Sequence, residues 1–388
     1  MSKLEELIQQ YCPDGVEWKT LKVVLKIRNG RDYKHLGEGS IPVYGSGGIM
    51  TYVDTPMYTN PSVLIPRKGS IDKLYYVDTP FWNVDTVFYT EIDTAQVVEK
   101  YVYYVLQKEH LEKLNTAGGV PSLTQSVLNE VIIPVPPLPV QEEIVRILDA
   151  FTELQAELQA ELQKRKQQYN YYLDNLLNFK NINRGQAEVR WMKMSEVMSI
   201  SRGASPRPIQ NYLTDAEDGI PWIKIGDVSP SSKYISSTKE KIKKEGATKS
   251  RYLKKGDFIL SNSMSFGRPY ILNIDGCIHD GWISMYGFEE HLDQDYLYYV
   301  LRSESVQTFW TAKANSGGAV SNLNSDIVRK TLIPIPSMAE QKRIASILDR
   351  FDRLTNDLTS GLPAEIEKRR QQYEYYRDKL LTFKRKGV

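Results

Sequence analysis

Few side chains of this sequence combine the types and the spacing that a catalytic site needs. The segment PDGVEWK at 13–19 imitates the Pro-Asp…Glu-x-Lys pattern of nucleases. Its Asp14 and Glu17 are too close in sequence to come from neighbouring strands. We therefore interpret this segment as a turn that leads into the first strand.

Other signatures of catalysis are missing from the sequence. It contains neither a GxxxxGK[ST] phosphate loop nor the glycine fingerprint of a dinucleotide-binding strand. The segment NPSV at 60–63 lacks the aromatic residue of the Asn-Pro-Pro-Tyr type of motif found in amino-methyltransferases. Four histidines occur without the paired spacing of a metal site: His35, His110, His279 and His291. We expect no catalytic residues and no metal site.

Basic side chains, which can bind phosphate groups, are concentrated in one segment. From Lys233 to Lys255 the sequence carries nine basic residues against Glu240 and Glu245. Such a cluster favours nucleic-acid binding, because each phosphate that it neutralises releases counterions. A solvated, lysine-rich helix explains the same composition at least as well.

Polar, glycine-rich loops are the second candidate for binding. They are YGSGG at 44–48, NTAGGVPSLTQ at 115–125 and NSGGAVSNLN at 315–324. Glycine lets a backbone approach a ligand closely, while Ser, Thr, Asn and Gln donate to phosphates or base edges. SRGASPR at 201–207 and SMSFGR at 263–268 add arginines suited to bidentate contacts. Each loop alone is a weak signal, because glycine turns occur in any β-rich domain.

The overall composition is that of a globular protein with more than one domain. Of 388 residues, 41% are hydrophobic and 25% are charged, and the net charge of +2 predicts modest non-specific affinity for polyanions. The distant Cys12 and Cys277 indicate a reducing, cytoplasmic environment. The apolar run at 131–140 is broken by four prolines, so we expect no membrane span.

The elements that must position these loops occur twice. RKQQYNYYLDNLLNFK at 165–180 and RRQQYEYYRDKLLTFK at 369–384 agree at eleven of sixteen positions, 204 residues apart. Weaker echoes precede them in the same order, such as YYVL at 103–106 and 298–301. Their common order and slowly climbing offset predict an internal pseudo-twofold duplication: domain, helix, domain, helix. Short β-rich runs and one helical patch predict a mixed α+β domain in each copy.

Both long helices carry the apolar seam of a coiled coil. In the first, residues spaced alternately by four and three are Ile, Leu, Phe or Tyr from Ile144 to Phe179, except Gln155 and Arg165. Two seams of matching length predict that the helices pack on each other, and a twofold relation makes them antiparallel. The alternatives are that each helix packs only on its own domain or that the seam drives homodimerisation.

The second helix departs from the regular seam. Four extra residues form a stutter between Leu358 and Ile366. Ser360, Gly361 and Pro363 lie at this point, so we expect a break there. Pro363 should lie near the first turn of a restarted helix.

Several segments resemble one known family. ELQAELQAELQKRKQQYNYYLDNLLNFK and LPAEIEKRRQQYEYYRDKLLTFK resemble the two spacer helices of specificity (S) subunits of Type I restriction–modification systems. RKGSIDKLYYVDTPFWNVDTVFY, NTAGGVPSLTQSVLNEVIIPVPPLPVQEEIVRILD and GIPWIKIGDV resemble segments of target recognition domains in that family. The resemblance covers nearly the whole chain. The break at Gly361-Leu362-Pro363 is a departure from it.

The resemblance implies an α+β protein in which two α/β target recognition domains are separated by two long antiparallel coiled-coil helices, with an internal pseudo-twofold duplication. The implied domains are 1–15 (N-terminal helical segment), 16–138 (target recognition domain 1), 139–182 (spacer helix 1), 183–337 (target recognition domain 2) and 338–386 (spacer helix 2).

The implied function is that of a non-catalytic, DNA-reading subunit. It would recognise a bipartite, asymmetric site on double-stranded DNA and dock two modification (methyltransferase) subunits. Restriction (endonuclease/translocase) subunits would join through the modification subunits. S-adenosylmethionine, ATP and Mg²⁺ would belong to these partners, and this chain itself would hold no cofactor.

Candidate DNA contacts come from the loops, the arginine segments, the basic segment and two of the segments that carry the family resemblance. They are Tyr44, Ser46, Lys68, Ser70, Lys73, Asn115, Thr116, Ser122, Thr124, Gln125, Arg202, Arg207, Lys224, Lys243, Lys244, Ser263, Arg268, Asn315, Ser316, Ser321 and Asn324. The rival function is that of a coiled-coil scaffold whose two heads bind proteins. An enzyme ranks third, because it needs a catalytic group that the sequence does not show.

Overall fold

The computed structural model describes residues 2–115, 119, 121–179, 189–229, 232–262, 266–315, 323–357 and 359–387. The chain forms two compact units. Unit 1 comprises Met1–Gln159 and Ile366–Val388, and unit 2 comprises Ala160–Glu365. The units divide the chain within its long helices, so the domain boundaries given above stay predictions.

The first half of the chain alternates short strands and helices. In order, its elements are α1 (Lys3–Tyr11), β1 (Glu17–Thr20), α2 (Leu21–Val24), β2 (Leu25–Asn29), β3 (Ile41–Gly45), β4 (Gly48–Val53), β5 (Ser62–Pro66), β6 (Tyr75–Val77), β7 (Trp82–Asn83), β8 (Val87–Ile92), α3 (Glu99–Lys108), a 3-10 turn (Leu111–Leu114), α4 (Gln125–Asn129), β9 (Ile132–Val135) and α5 (Leu138–Leu177). The strands of unit 1 form the sheets β1-β9, β2-β8-β5-β6 and β4-β3-β7.

The second half repeats this plan with additions. Its elements are β10 (Arg190–Lys193), α6 (Met194–Val197), β11 (Ser199–Arg202), a 3-10 turn (Ile209–Asn211), β12 (Leu213–Thr214), β13 (Ile220–Ile223), a 3-10 turn (Ile225–Asp227), β14 (Tyr234–Ile235), β15 (Glu240–Ile242), α7 (Lys244–Ala247), β16 (Arg251–Leu253), β17 (Phe258–Ser261), β18 (Pro269–Leu272), β19 (Gly276–Ile278), β20 (Trp282–Tyr286), α8 (Gln294–Arg302), α9 (Glu304–Asn315), α10 (Ser325–Arg329), β21 (Leu332–Ile335), α11 (Met338–Asn356) and α12 (Leu362–Leu380). The sheets of unit 2 are β10-β21, β11-β20-β17-β18-β14 and β12-β15-β13-β19-β16.

The same strand pair joins the start and the end of each predicted α+β domain (16–138 and 183–337), which we call the heads. β1 pairs antiparallel with β9, so that Trp18 lies opposite Pro134. β10 pairs antiparallel with β21, so that Trp191 lies opposite Pro334. Equal registers in the two units confirm the predicted duplication.

Buried glutamines at the start of the long helices repeat their hydrogen bonds. The Gln141 side-chain oxygen accepts from the Val98 N–H at 2.9 Å, and the Gln341 oxygen accepts from the Asp293 N–H at 2.8 Å. Each glutamine also donates to a carbonyl of the preceding Pro-x-Pro stretch, at 2.6 and 3.0 Å. These bonds satisfy backbone groups that burial would otherwise leave unpaired.

Tyrosines of the head helices anchor the long helices in the same duplicated manner. The Tyr104 hydroxyl donates to Asp149, and the Tyr299 hydroxyl donates to Asp349, both at 2.5 Å. Burial of the ring is the first cause of the raised pKa of each tyrosine, so both hydroxyls stay protonated and donate at neutral pH.

Each unit packs one part of α5 against one part of the second long helical region. In unit 1, Ile144 and Leu148 of α5 share a core cluster with Leu381, and Phe151 stacks on Tyr376. In unit 2, Tyr172 of α5 stacks on Phe351 of α11 at a centroid distance of 5.1 Å.

The order of these contacts gives the direction of packing. Early residues of α5 meet residues from the end of the second helical region, and late residues of α5 meet its start, α11. This reversed order is the antiparallel packing that the two seams predict.

The predicted break in the second seam is also confirmed. α11 ends at Asn356, α12 begins at Leu362, and Pro363 is its second residue. A side chain at Gly361 would place a Cβ 2.5 Å from the Arg353 carbonyl oxygen, so the connection requires glycine. Leu358, at the predicted stutter, lies outside the described residues.

The described ranges contain neither a membrane-spanning helix nor a metal-binding cluster. No helix there has both the length and the apolar character needed to cross a bilayer. Within the same ranges, no group of three or more His, Cys, Asp or Glu side chains is placed to hold a metal ion. Cys12 and Cys277 are free thiols, and both are buried.

Candidate nucleic-acid interface

Three polar loops of unit 1 converge beside β3 and β5. Lys68 and Ser122 form an isolated antiparallel bridge, which joins the loop after β5 to the loop before α4. The Asn115 side-chain oxygen accepts from the Ser122 N–H at 3.0 Å. The Tyr75 hydroxyl donates to the Ser46 carbonyl at 3.0 Å. The structure therefore brings together candidates that are distant in sequence.

Gly69 allows the β3–β4 turn to approach the loop after β5. It has a φ of +79°, and a Cβ at this position would lie 3.3 Å from the Ser46 hydroxyl oxygen. Ser70 and Lys73 continue the same loop, where the Lys73 N–H donates to the Ser70 carbonyl at 3.3 Å. Tyr44 is instead a packing residue of this region: its ring lies 5.8 Å from that of Tyr75, and burial raises its pKa.

The candidates at the ends of the two loops that precede α4 and α10 make hydrogen bonds within the protein. Thr124 caps α4 by accepting from the Val127 N–H at 3.4 Å. Asn324 caps α10 by accepting from two backbone N–H groups, at 3.1 and 3.0 Å. Gln125 donates to the Ile27 carbonyl at 3.3 Å. These contacts fix the orientation of the loops.

Unit 2 has a cleft of about 610 Å³ at the corresponding place. It brings Arg202 of β11 together with Asn324 before α10, two candidates that lie 122 positions apart. The polar residues that line it are Arg202, Asn262, His279, Asp280, Asn324, Ser325, Asp326 and Arg329. The cleft offers guanidinium and amide groups, which suit phosphate oxygens and base edges.

Asp280 holds the arginine segment against this cleft. Its carbonyl accepts from Arg202 Nε at 2.9 Å, and its carboxylate accepts from Ser205 at 3.0 Å and from Arg207 at 3.1 Å. Burial opposes the charged form, but the hydrogen bonds from Ser205 and Arg207 outweigh it and lower the pKa of Asp280. Arg207 is thereby committed to an ion pair, while Arg202 is oriented through its Nε.

The sequence-based selection missed other residues of this cleft. Arg329 donates to the Ile200 carbonyl at 2.6 Å and pairs with Asp326 at 2.9 Å. Burial lowers the pKa of His279, which keeps the ring neutral at physiological pH. Arg329 lies about one helical turn after the 315–324 loop. This short distance in sequence could have identified it as a candidate.

Arg268 lies in a different part of unit 2. It lines a second cleft, of about 390 Å³, with Phe266, Pro269, Arg302 and Gln307. Its guanidinium lies 5.8 Å from the centre of the Tyr270 ring. The structure therefore does not place Arg268 in the cleft that contains Arg202.

Three candidate lysines of unit 2 make contacts within the protein. Lys224 pairs with Glu240 at 2.5 Å, and Lys244 pairs with Asp218 at 2.9 Å. Lys243 donates to a backbone carbonyl at 3.1 Å.

The basic segment also includes a lysine that is a structural residue. Lys233 Nζ lies 2.7 Å from Asp295 and 2.9 Å from Asp349, and its side chain is only 12% exposed. Burial opposes its charge, but the two carboxylates outweigh burial and raise the pKa of Lys233. Lys233 therefore contributes to the basic cluster by composition, but its charge is neutralised within the protein.

Some candidates have no described position. Thr116, Ser263, Ser316 and Ser321 lie outside the described residues, and for Asn315 only its place as the last residue of α9 is described.

The two heads present different side chains on equivalent backbones. The Leu123 N–H donates to the Arg67 carbonyl, and the Leu323 N–H donates to the Asn262 carbonyl, both at 2.9 Å. The strand registers place Asn29 of unit 1 where unit 2 has Arg202. The shared bonds form a frame, and the exposed polar groups on that frame differ.

A protein-family model matches most of the chain. The family is described as the Type I restriction modification DNA specificity domain, and the matches cover residues 13–165 and 187–368.

Two curated relatives are named as type I specificity subunits. A putative type I restriction enzyme specificity subunit of Haemophilus influenzae is 33% identical, over 98% of this chain and 98% of the relative. The EcoR124I/EcoR124II specificity subunit of Escherichia coli is 35% identical, over 76% of this chain and 73% of the relative.

Solved structures share the fold. The S subunit of a Type I restriction–modification system from M. genitalium superposes with a TM-score of 0.60 at 15% identity, covering 95% of this chain and 96% of that chain. A chain from a study of complex assembly and conformational transition of the type I R-M system gives a TM-score of 0.66 at 14% identity, covering 95% and 98%. At these identities the likeness shows the fold alone.

Proposed function

This chain belongs to the family of Type I restriction–modification specificity subunits, and from that premise we propose that it reads a bipartite, asymmetric site on double-stranded DNA. Each head reads one half of the site. The chain supplies recognition and no chemistry, and it works in the cytoplasm, where the DNA is.

One observation carries this proposal: a duplicated frame supports two unlike sets of polar side chains. Asn29 and Arg202 occupy equivalent strand positions, and Arg67 and Asn262 are equivalent residues directly after β5 and β17. Arginine pairs with guanine and asparagine with adenine when they reach base edges. Two different linings on one frame therefore favour two different half-sites.

The repeated helical surface supports two copies of one partner. Gln167 and Tyr171 are four residues apart, so they share a face of α5. Gln371 and Tyr375 repeat the pair on α12. Tyr171 is 63% exposed and Tyr375 is 62% exposed. Because these side chains are identical in both copies without being buried, we assign the two faces to two modification subunits.

Catalysis and cofactors would reside in the partners. The modification subunits would carry S-adenosylmethionine and the adenine-methylating site, and they would flip the target base. Restriction subunits that use ATP and Mg²⁺ would join through them. The small net charge of +2 fits a chain whose partners supply much of the contact with DNA.

A DNA titration distinguishes this function from a protein-binding scaffold. The purified chain, with and without its modification subunit, is titrated against duplex DNA at several salt concentrations. A DNA reader shows an affinity that falls linearly with the logarithm of salt and a preference for one sequence. A scaffold shows neither.

Methylation mapping then tests the assignment of the heads. Arg202→Ala and Arg268→Ala, both in unit 2, should relax one half of the methylated site and leave the other half unchanged. Lys68→Ala in unit 1 is the reciprocal variant. Equal loss at both halves from any one of these variants contradicts the proposal.

A further inference from the structure

Strand β4 is an uncovered sheet edge with apolar side chains. It is the outermost strand of the sheet β4-β3-β7. Ile49, Met50 and Tyr52 are 51%, 58% and 51% exposed. In the described part of the chain, residues 48–53 make no backbone hydrogen bond outside the ladder with β3. Such an edge is a template for another strand.

Unit 2 shows the equivalent edge in a covered state. β3 and β13 begin with the same dipeptide, Ile-Pro, and each lies between two strands. On one side they pair in parallel, β3 with β7 and β13 with β19. On the opposite side they pair antiparallel, so that Ile41 of β3 faces Val53 of β4 and Ile220 of β13 faces Ile242 of β15. β15 of unit 2 therefore occupies the position of β4.

The cover in unit 2 comes from its own chain. β12 pairs antiparallel with β15, so that Leu213 lies opposite Ile242 and Thr214 lies opposite Lys241. β12 lies in the stretch where the second copy is longer than the first, between Trp191 and Ile220. Unit 1 has no such insertion, and its β4 stays at the edge.

We propose that β4 accepts a strand from a protein partner, the modification subunit that docks on unit 1. This inference rests on the proposed function, because it identifies one contact of a partner assigned there. The added strand runs antiparallel to β4 and places an aliphatic residue opposite Val53, as Leu213 is placed opposite Ile242.

The chemistry of the edge favours a polypeptide over DNA. β4 contains no Lys or Arg, and the exposed Asp54 follows it directly. An added strand pairs with the backbone of β4, and its alternate side chains cover Ile49, Met50 and Tyr52. Because unit 2 covers its own edge, only one of two identical modification subunits makes this contact, and the assembly is asymmetric.

Amide hydrogen exchange of the full-length chain tests the inference. Exchange at residues 49–53 is measured for the chain alone, with its modification subunit, and with duplex DNA alone. The modification subunit should slow exchange at these residues by about tenfold or more, because new ladder hydrogen bonds protect the amides. Residues 241 and 242 of unit 2, already paired with β12, should not change and are the internal control.

A matched pair of variants adds a second measurement. Met50→Lys places a charge on the edge, which natural proteins use to prevent strand addition. It should weaken binding of the modification subunit by about tenfold, equivalent to about 1.4 kcal/mol. Val23→Lys, at a side chain of α2 that is 50% exposed, should leave the affinity unchanged.

The possible outcomes separate this inference from the proposed function. If the modification subunit binds and residues 49–53 exchange as fast as before, the proposed function stands and the added strand is refuted. Protection by DNA alone, or protection that rises with the concentration of the chain alone, also refutes it, in favour of a DNA surface or a second copy of the chain. If neither the modification subunit nor specific DNA binds, the proposed function itself fails.

Discussion

Replacing Lys233 by methionine should destabilise unit 2 by about 2 kcal/mol. The distances of 2.7 and 2.9 Å from Nζ place the Asp295 and Asp349 oxygens within about 5.6 Å of each other. Without the ammonium group, two carboxylates at about 5 Å repel each other by about 3 kcal/mol at an effective dielectric constant of 20. These side chains are 38% and 31% exposed, so solvent reduces the cost to about 2 kcal/mol.

The protonation state of Lys233 supports testing this prediction at neutral pH. The pKa of Lys233 is raised above its ordinary value. A cation with a raised pKa contributes its full stabilisation below the unfolded-state pKa and loses it only as the pH rises through the folded-state pKa. The ion pair is therefore complete at pH 7.

Urea denaturation measures the free energy of unfolding, and hydrogen exchange within each unit shows which unit is destabilised. Lys100→Met is the matched control, because Lys100 pairs with Asp149 of unit 1, the counterpart of Asp349, at 2.8 Å. Its side chain is 37% exposed and lacks a second carboxylate, so we expect a cost below about 1 kcal/mol.

The same variant distinguishes a structural lysine from a DNA contact. Lys233→Met should leave the salt dependence of DNA affinity unchanged, whereas removal of a phosphate contact reduces that slope by about one unit. A reduced slope with unchanged stability would refute the structural role.

Two further predictions concern the duplicated features. Gln341→Ala should destabilise unit 2, and Gln141→Ala should destabilise unit 1, each by about 2 kcal/mol, because buried backbone groups lose their hydrogen-bond partners. Urea denaturation measures this loss. A loss below about 0.5 kcal/mol, which is typical of an exposed position, argues against the prediction. Tyr171→Ala and Tyr375→Ala should each reduce the number of bound modification subunits from two to one, as measured by native mass spectrometry. Retention of two subunits in the double variant would contradict the assignment of the helical faces.

The sequence was most informative where the copies agree. The seam and the stutter predicted two helical regions, their packing and the break before Pro363, because helix periodicity is set by local geometry. The sequence did not predict the pairing of β1 with β9 or of β10 with β21, because each pair joins segments more than 100 residues apart.

The candidate site was harder to predict because it is assembled from distant segments. Arg202, Asn262 and Arg329 line one cleft because β11 pairs with β20, 81 to 87 positions away, and Arg329 donates to the Ile200 carbonyl 129 positions before it. No local pattern specifies these contacts. Charge counting also included Lys233 in the basic cluster, although two aspartates bind its ammonium group and its side chain is only 12% exposed. Composition reports how many lysines a segment has, and only the fold determines which of them reach solvent.

The repeated Gln141 and Gln341 contacts have an evolutionary consequence. Both heads are anchored through the same bonds, beside the same strand pair of Trp18 or Trp191. Recombination at these junctions could replace the gene segment that encodes one head. The new head would pack on the existing helices through the same hydrogen bonds and the same strand pair. Under the proposed function, such a lineage acquires a new target by recombination in one event, while its helices stay unaltered.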